Sequence, residues 1–120
     1  MAVTRVGMVE ALIFSKTATI VSPAGADDFL AWVAPYGCTV VSLKAFREGG
    51  TGATVNAMKN GSLEHLSGDL SLTSADTVFD GGAVQNTTYA EGDYLHVRVK
   101  SIGGSPDKIT IQVNFNVLIK

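Results

Sequence analysis

Charged side chains are scarce in this sequence. Asp, Glu, Lys and Arg make up 17% of its 120 residues and the formal net charge is −2, whereas a typical soluble domain has about 25% charged residues. Nucleic acid is not expected as a partner, because phosphate neutralisation needs a concentrated basic patch and no run of Lys or Arg occurs. Mean hydropathy is positive, at +0.25. Such a surface suits a homo-oligomer or a larger assembly.

Cysteine is almost absent, and Cys38 alone cannot form an internal disulfide. It lies between apolar and aromatic residues, so we expect a small buried hydrophobe. A chain of 120 residues is expected to form one domain that buries about two thirds of its unfolded surface without cross-links.

Targeting and membrane segments are not recognisable. Residues 1–16 lack the basic start, the unbroken apolar core and the cleavage site of a signal peptide. No window approaches the ~20 apolar residues that span a bilayer. We therefore expect a soluble chain, synthesised in a cytoplasm, that has no membrane partner.

The patterns of common catalytic and metal sites are also missing. The sequence has no CxxC, HxH or HExxH motif and no GxSxG elbow. We therefore expect no catalytic residue, no metal, no cofactor and no enzymatic activity. His65 and His96 are expected on the polar faces of strands, exposed to solvent or to a pore. The aspartates beside Gly or Ser are expected to cap turns.

Strict alternation of apolar and polar residues dominates the C-terminal third. It puts one face of a strand into a core, with Ile109, Ile111, Val113, Phe115, Val117 and Ile119 on that face. A preceding strand has its apolar face at Leu95, Val97 and Val99. Residues 103–107, rich in Gly and Pro, have the composition of a turn. This pattern predicts two long antiparallel strands joined as a hairpin.

Shorter apolar runs precede this region. Residues 8–15 and 17–21 predict two strands, followed by a break in pairing at Pro23. A long strand is predicted over residues 38–48. Its inner face is expected to hold Thr39, Val41, Leu43 and Ala45.

Turn residues separate about eight predicted strands. Asn60-Gly61 predicts a type I′ hairpin turn, because both residues tolerate left-handed dihedrals. Short strands with such turns between them predict an all-β fold. We expect an antiparallel β-sandwich of jelly-roll type, with a closed barrel as the alternative.

Residues 26–36 allow two interpretations. A single helical turn is compatible with residues 26–32, but Phe, Trp and Val favour a strand over 29–34, with Phe29, Ala31 and Val33 on one side. Trp32 and Tyr36 flank the turn at Pro35. They either stack on a sugar or anchor a partner, or they form an aromatic plug at one end of the sandwich.

Several segments together resemble a module of tailed-bacteriophage virion proteins. The similarity covers residues ~33–117 at the level of motifs, through VNAMKNG (55–61), TTYAEGD (87–93) and VKSIGGSPDKITIQVNF (99–115). Such modules occur in capsid decoration proteins, head fibres and tail-fibre or baseplate parts, commonly as trimeric β-sandwiches. The matching residues are turn makers, so the resemblance implies a fold and no catalytic site.

The resemblance implies a capsid decoration (cement) protein that binds the outside of the phage head as a homotrimer and stabilises it. Its partners would be itself and the major capsid protein, and its location the capsid surface of the virion after synthesis in the host cytoplasm. Residues 1–9 would form an N-terminal arm. The residues expected at the interfaces are Val3, Val6, Met8, Val9, Trp32 and Tyr36. The alternative is a receptor- or glycan-binding domain of a phage fibre, spike or baseplate that stacks sugars on Trp32, Tyr36 or Tyr94.

Overall fold

The chain folds entirely into strands and their connections over residues 11–118, which are the residues that the computed structural model describes. This part of the chain contains no helix, so the predicted all-β fold is confirmed. There are ten strands rather than about eight, because four of them are only two residues long. The strands are β1 (Ala11–Val21), β2 (Asp27–Val33), β3 (Cys38–Gly49), β4 (Gly52–Lys59), β5 (Leu63–Glu64), β6 (Leu70–Ser71), β7 (Phe79–Asp80), β8 (Thr88–Tyr89), β9 (Tyr94–Gly103) and β10 (Pro106–Leu118).

Two antiparallel sheets make up the sandwich. The first has the order β1-β10-β3-β7, with β8 also paired to β3, and the second has the order β2-β9-β4-β5, with β6 also paired to β4. The chain changes sheet at each step from β1 to β4, and again from β6 to β7, from β8 to β9 and from β9 to β10. This wrapping is that of a jelly roll, which confirms the predicted architecture.

The core lies between the sheets and is built by the alternation of the longest strands. Ile109, Ile111, Val113 and Phe115 of β10 are fully buried, as are Leu95 and Val99 of β9. The inner faces predicted for these two strands are confirmed as far as Val117, whereas Ile119 lies outside the described residues. Period-two alternation directly encodes which side of a strand is covered.

The predicted hairpin between these strands is wrong. β9 pairs with β2 and β4, whereas β10 pairs with β1 and β3. Each of these strands has one apolar face. Both apolar faces are buried when the strands lie in opposite sheets and face each other across the sandwich. The β3–β4 connection crosses between the sheets beside the β9–β10 connection, and the Thr51 N–H donates to the Gly103 carbonyl at 2.9 Å.

The two strands predicted over residues 8–15 and 17–21 are also wrong in part. Residues 11–21 form the single strand β1, which keeps an unbroken register against β10 from Ala11 to Val21. Ser15 and Lys16 do not interrupt it. The break predicted at Pro23 is confirmed, since β1 ends two residues before it.

Bulges changed the predicted inner faces of two strands. In β3 a register shift leaves Val41 as an extra residue, so Cys38, Val40, Leu43 and Ala45 are buried while Thr39 and Val41 are exposed. A bulge places two residues opposite one and reverses the alternation beyond it. The inward positions predicted for Thr39 and Val41 are therefore wrong.

The same irregularity occurs in β2, between Leu30 and Trp32. The strand predicted in place of a helical turn is confirmed. Its predicted face is not, because the bulge turns Phe29 and Trp32 towards the core and leaves Ala31 and Val33 exposed.

The turn at Asn60-Gly61 has the predicted geometry. Both residues have positive φ, 57° and 76°, as a type I′ turn requires. The chain then runs back antiparallel, with Lys59 opposite Leu63 in the β4–β5 pair.

Candidate interaction surface

An aromatic cluster joins both sheets beside their β1 and β2 edges. Phe14 of β1 stacks on Phe115 of β10 with ring centroids 5.2 Å apart. Trp32 of β2 lies 5.0 Å from Phe115 and 5.5 Å from Phe14. Tyr89 of β8 completes the cluster with an edge contact to Phe115 at 5.3 Å. Each sheet contributes rings, so this cluster ties the two sheets together.

Trp32 and Tyr36 occupy different positions in this cluster. Trp32 is half-buried and packs against the core, and the Lys16 ammonium lies 5.2 Å from its ring centroid. Tyr36 remains 44% exposed and touches only the outer side of the cluster, 6.0 Å from Phe14. The plug interpretation fits Trp32, whereas Tyr36 is available to a partner.

Exposed apolar side chains are concentrated at one side of the sandwich. Of the ten large hydrophobic side chains exposed in the described part of the chain, six belong to residues 12–36, which form β1, β2 and the turns after them; these are Leu12, Ile13, Val21, Leu30, Val33 and Tyr36. We call this region the β1–β2 side. The four other predicted interface residues, Val3, Val6, Met8 and Val9, lie outside the described residues.

Charges on the outer face of the second sheet neutralise one another. The Arg98 guanidinium donates to both carboxylate oxygens of Asp28, at 2.6 and 2.9 Å, and this contact lowers the pKa of Asp28. The Lys100 ammonium lies 3.2 Å from Glu64 and 3.4 Å from Asp69. Because these side chains remain partly exposed to solvent, the pairs add little to stability.

The solvent-exposed position predicted for His65 is wrong. Its side chain is 0% exposed, because the segments around Gln85 and Tyr89 cover it. The ring Nδ1 lies 3.1 Å from the Gln85 carbonyl and Nε2 lies 2.7 Å from the Tyr89 hydroxyl. A carbonyl only accepts, so Nδ1 carries the proton and the Tyr89 hydroxyl donates to Nε2. Burial lowers the pKa of His65 and raises that of Tyr89.

This buried histidine predicts a loss of stability in mild acid. Its folded-state pKa lies below its ordinary value of 6.5, so below that pH the unfolded chain binds a proton that the folded chain excludes. The free energy of unfolding should therefore fall as pH drops from 6.5 towards 5, by at most about 1.4 kcal/mol per pH unit. Urea denaturation at several pH values measures this slope.

His65→Gln should remove that slope, whereas the parent chain should keep it. The pKa values of Asp28, Asp80 and Asp93 are lowered from an ordinary 3.8. Protonation of these carboxylates therefore destabilises the protein only at more acidic pH. A slope that persists in His65→Gln would contradict the assignment.

Other predicted features have simple structural roles. The Asp80 and Asp93 carboxylates accept from the Gly82 and Ala90 N–H groups, which confirms that these aspartates cap turns. Cys38 is buried, as predicted, and burial raises the pKa of its thiol.

Over residues 11–118, no three His, Cys, Asp or Glu side chains lie together as a metal site would require. The same stretch has no helix suited to crossing a membrane.

Two buried polar side chains were not predicted. Arg47 is 2% exposed, and its guanidinium donates to the Leu72 and Gly49 carbonyls. Asn56 is 0% exposed and bonds the Leu66 carbonyl and N–H. The sequence contained one signal for Arg47. It lies two and four residues after the inward residues Ala45 and Leu43, so the alternation of the strand places its side chain on the same face. No sequence signal marks Asn56, whose side-chain partners lie in the loop between β5 and β6.

Comparisons with known proteins show no family for this chain. No protein-family model matches it, and no curated protein matches it. Among solved structures, it is similar to a chain from the disulfide-linked pili of Bacillus endospore appendages, with 8% sequence identity, a TM-score of 0.46 and coverage of 96% of each chain. The resemblance to phage virion modules stays a prediction.

Proposed function

We propose that this protein is a capsid decoration protein that binds the outside of a phage head as a homotrimer and stabilises the shell. The observation that carries the proposal is the concentration of exposed apolar side chains on the β1–β2 side. Several exposed apolar side chains on one side of a chain with few charges favour contact with copies of itself and with a larger protein surface. The phage context comes from the sequence resemblance.

The mechanism is adhesion without chemistry. Each chain would contribute a modest apolar contact through the β1–β2 side, with residues 1–9 reaching a neighbouring subunit and adding a strand to it. A trimer makes this contact three times. Once one chain is bound, the other two are held close to the surface at a high effective concentration, so the trimer binds with much higher affinity than one chain. Tyr36 is the exposed aromatic side chain in this region and would be an anchor.

A single charge on the β1–β2 side should weaken association without unfolding the protein. Val33 is 51% exposed and Val78 is 63% exposed, so an aspartate at either position stays in water and should change stability by less than about 0.5 kcal/mol. Val33→Asp should dissociate trimers at concentrations where the parent chain remains trimeric, because it places a charge inside an apolar contact.

Val78→Asp is the matched control, since Val78 lies next to β7 at the opposite edge of the first sheet. Sedimentation velocity on both variants measures the difference. Equal dissociation by both substitutions, or by neither, would mean that the β1–β2 side is not the contact between copies.

Removal of residues 1–9 tests the arm. Purified full-length and shortened chains are added to emptied heads of the phage that encodes the sequence, and bound protein is measured after sedimentation. The shortened chain should bind at least tenfold more weakly, since each added strand contributes main-chain hydrogen bonds and apolar burial. Equal binding by the two chains would remove the arm from the mechanism.

A glycan-binding domain is the second candidate, and the exposure of Tyr36 and Tyr94, 44% and 36%, is the observation in its favour. Trp32 does not support it, because its ring is held by Phe14, Phe115 and Lys16. A glycan array distinguishes the candidates. Specific binding that is lost on Tyr36→Ala would favour this candidate.

A further inference from the structure

An open groove separates the two edge strands on the β1–β2 side. It has a volume of about 690 Å³ and is lined by β1, the turn after it and β2. Ala18 and Ile20 contribute one wall, and Phe29 and Ala31 the other. Within residues 11–118, β1 pairs only with β10 and β2 pairs only with β9. The groove therefore combines apolar walls with backbone edges that can accept another strand.

We propose that this groove receives residues 2–9 of a second copy of the chain as an added strand. An extended segment can pair with the backbone of an edge strand while its alternate side chains enter the space between the sheets. Val6 and Met8 are two positions apart, so both point to one side of such a segment. Together they are of a size and polarity that suit the apolar walls.

Charge favours the same occupant. Asp27 lines the groove, and it forms no ion pair with any other residue of the described chain, residues 11–118. Arg5 is the only basic residue among residues 1–10. A strand from a second copy thus brings one positive charge to a groove that presents one negative charge.

The position of the groove favours a second copy over the same chain. The segment enters β1 at Ala11, while the groove lies at Ala18–Val21, about 23 Å further along at 3.3 Å per residue. The segment would have to reverse direction just before Ala11 and run back along its own strand. A segment from another copy reaches the groove without this reversal.

Disulfide trapping between two differently labelled chains tests the proposal. Both full-length chains carry Cys38→Ala; one also carries Val6→Cys and the other Ala31→Cys, and they are mixed and oxidised. Because each chain has one thiol, a covalent heterodimer forms only through contact between copies. The matched control replaces Ala31→Cys with Ala83→Cys, at another exposed alanine, located after β7 at the far edge.

The proposal predicts at least about tenfold more heterodimer for the Ala31→Cys mixture than for the control, because docking raises the local thiol concentration. Equal yields would overturn it, as would a disulfide that forms only inside a chain carrying both Val6→Cys and Ala31→Cys. The inference rests on the proposed function for the association of copies. Binding of the parent chain to heads is measured separately, so the decoration function can survive the loss of this contact.

Discussion

Phe115→Ala should lower the free energy of unfolding by about 3–5 kcal/mol, the usual cost of removing a buried aromatic ring. Phe115 is fully buried and lies at the centre of the aromatic cluster, where its ring contacts Phe14, Trp32 and Tyr89. Its removal opens a cavity between the two sheets. The surrounding rings belong to different strands, so they cannot close the cavity without moving the backbone.

Phe46→Ala provides the matched control for this prediction. Phe46 is also on a paired strand, but it is only half-buried on the outer face of the first sheet, opposite Thr110. Its truncation should cost about 1 kcal/mol from lost apolar burial. Urea denaturation of the parent and both variants measures the difference, and a similar cost for both would show that the cluster does not hold the sheets together.

Gly50→Ala should have the second largest effect, a loss of about 2–4 kcal/mol. Gly50 lies in the connection from β3 to β4 with φ of 70°. A Cβ atom there would lie 2.8 Å from both the Gly103 carbonyl oxygen and the Pro106 nitrogen. Both are backbone atoms, at the end of β9 and the start of β10, so relief of the contact requires the two connections to move apart.

Gly82→Ala separates this contact from the cost of the dihedral alone. Gly82 has φ of 79°, and an added Cβ would meet nothing within 4 Å. Gly82→Ala should therefore lower the free energy of unfolding only by the cost of placing a non-Gly residue in the left-handed region, about 1 kcal/mol. Thermal or urea denaturation that gives the two variants equal stability would show that the two crossings do not pack closely.

Local patterns predicted the faces of the longest strands but not their partners. The alternation over residues 109–115 correctly identified the inner face of β10. The face on which a side chain lies is set by its position along its own strand, so a local pattern is enough to predict it. The pairing of β10 with β1 and β3 depends on contacts between residues far apart in the sequence, such as Phe14 with Phe115 and Ala45 with Ile111. A turn-like connection at residues 103–107 does not determine whether the chain stays in one sheet or crosses to the other.

Bulges and loop cover explain the remaining errors. Val41 and Ala31 each displace the alternation of their strand, and neither position contains a Gly or Pro that would have marked it. His65 follows a two-residue strand and is buried by the segments around Gln85 and Tyr89. That cover comes from elsewhere in the chain, so a local pattern could not predict it.

The candidate interaction surface was also predicted only in part. The sequence drew attention to Trp32 and Tyr36, and both belong to one cluster, but only the structure distinguishes the packed ring from the exposed one. The groove between β1 and β2 was not predicted, because it forms where the edges of two different sheets meet. Its apolar walls and the exposed side chains beside it make this side the strongest candidate for contact between chains.

Electron microscopy of phage heads incubated with the purified chain tests the central proposal most directly. The account predicts trimers at symmetry-related positions over the outer surface of the head, with the β1–β2 side at the contacts between subunits. Heads without added density, together with a chain that sediments as a monomer at all concentrations, would contradict it.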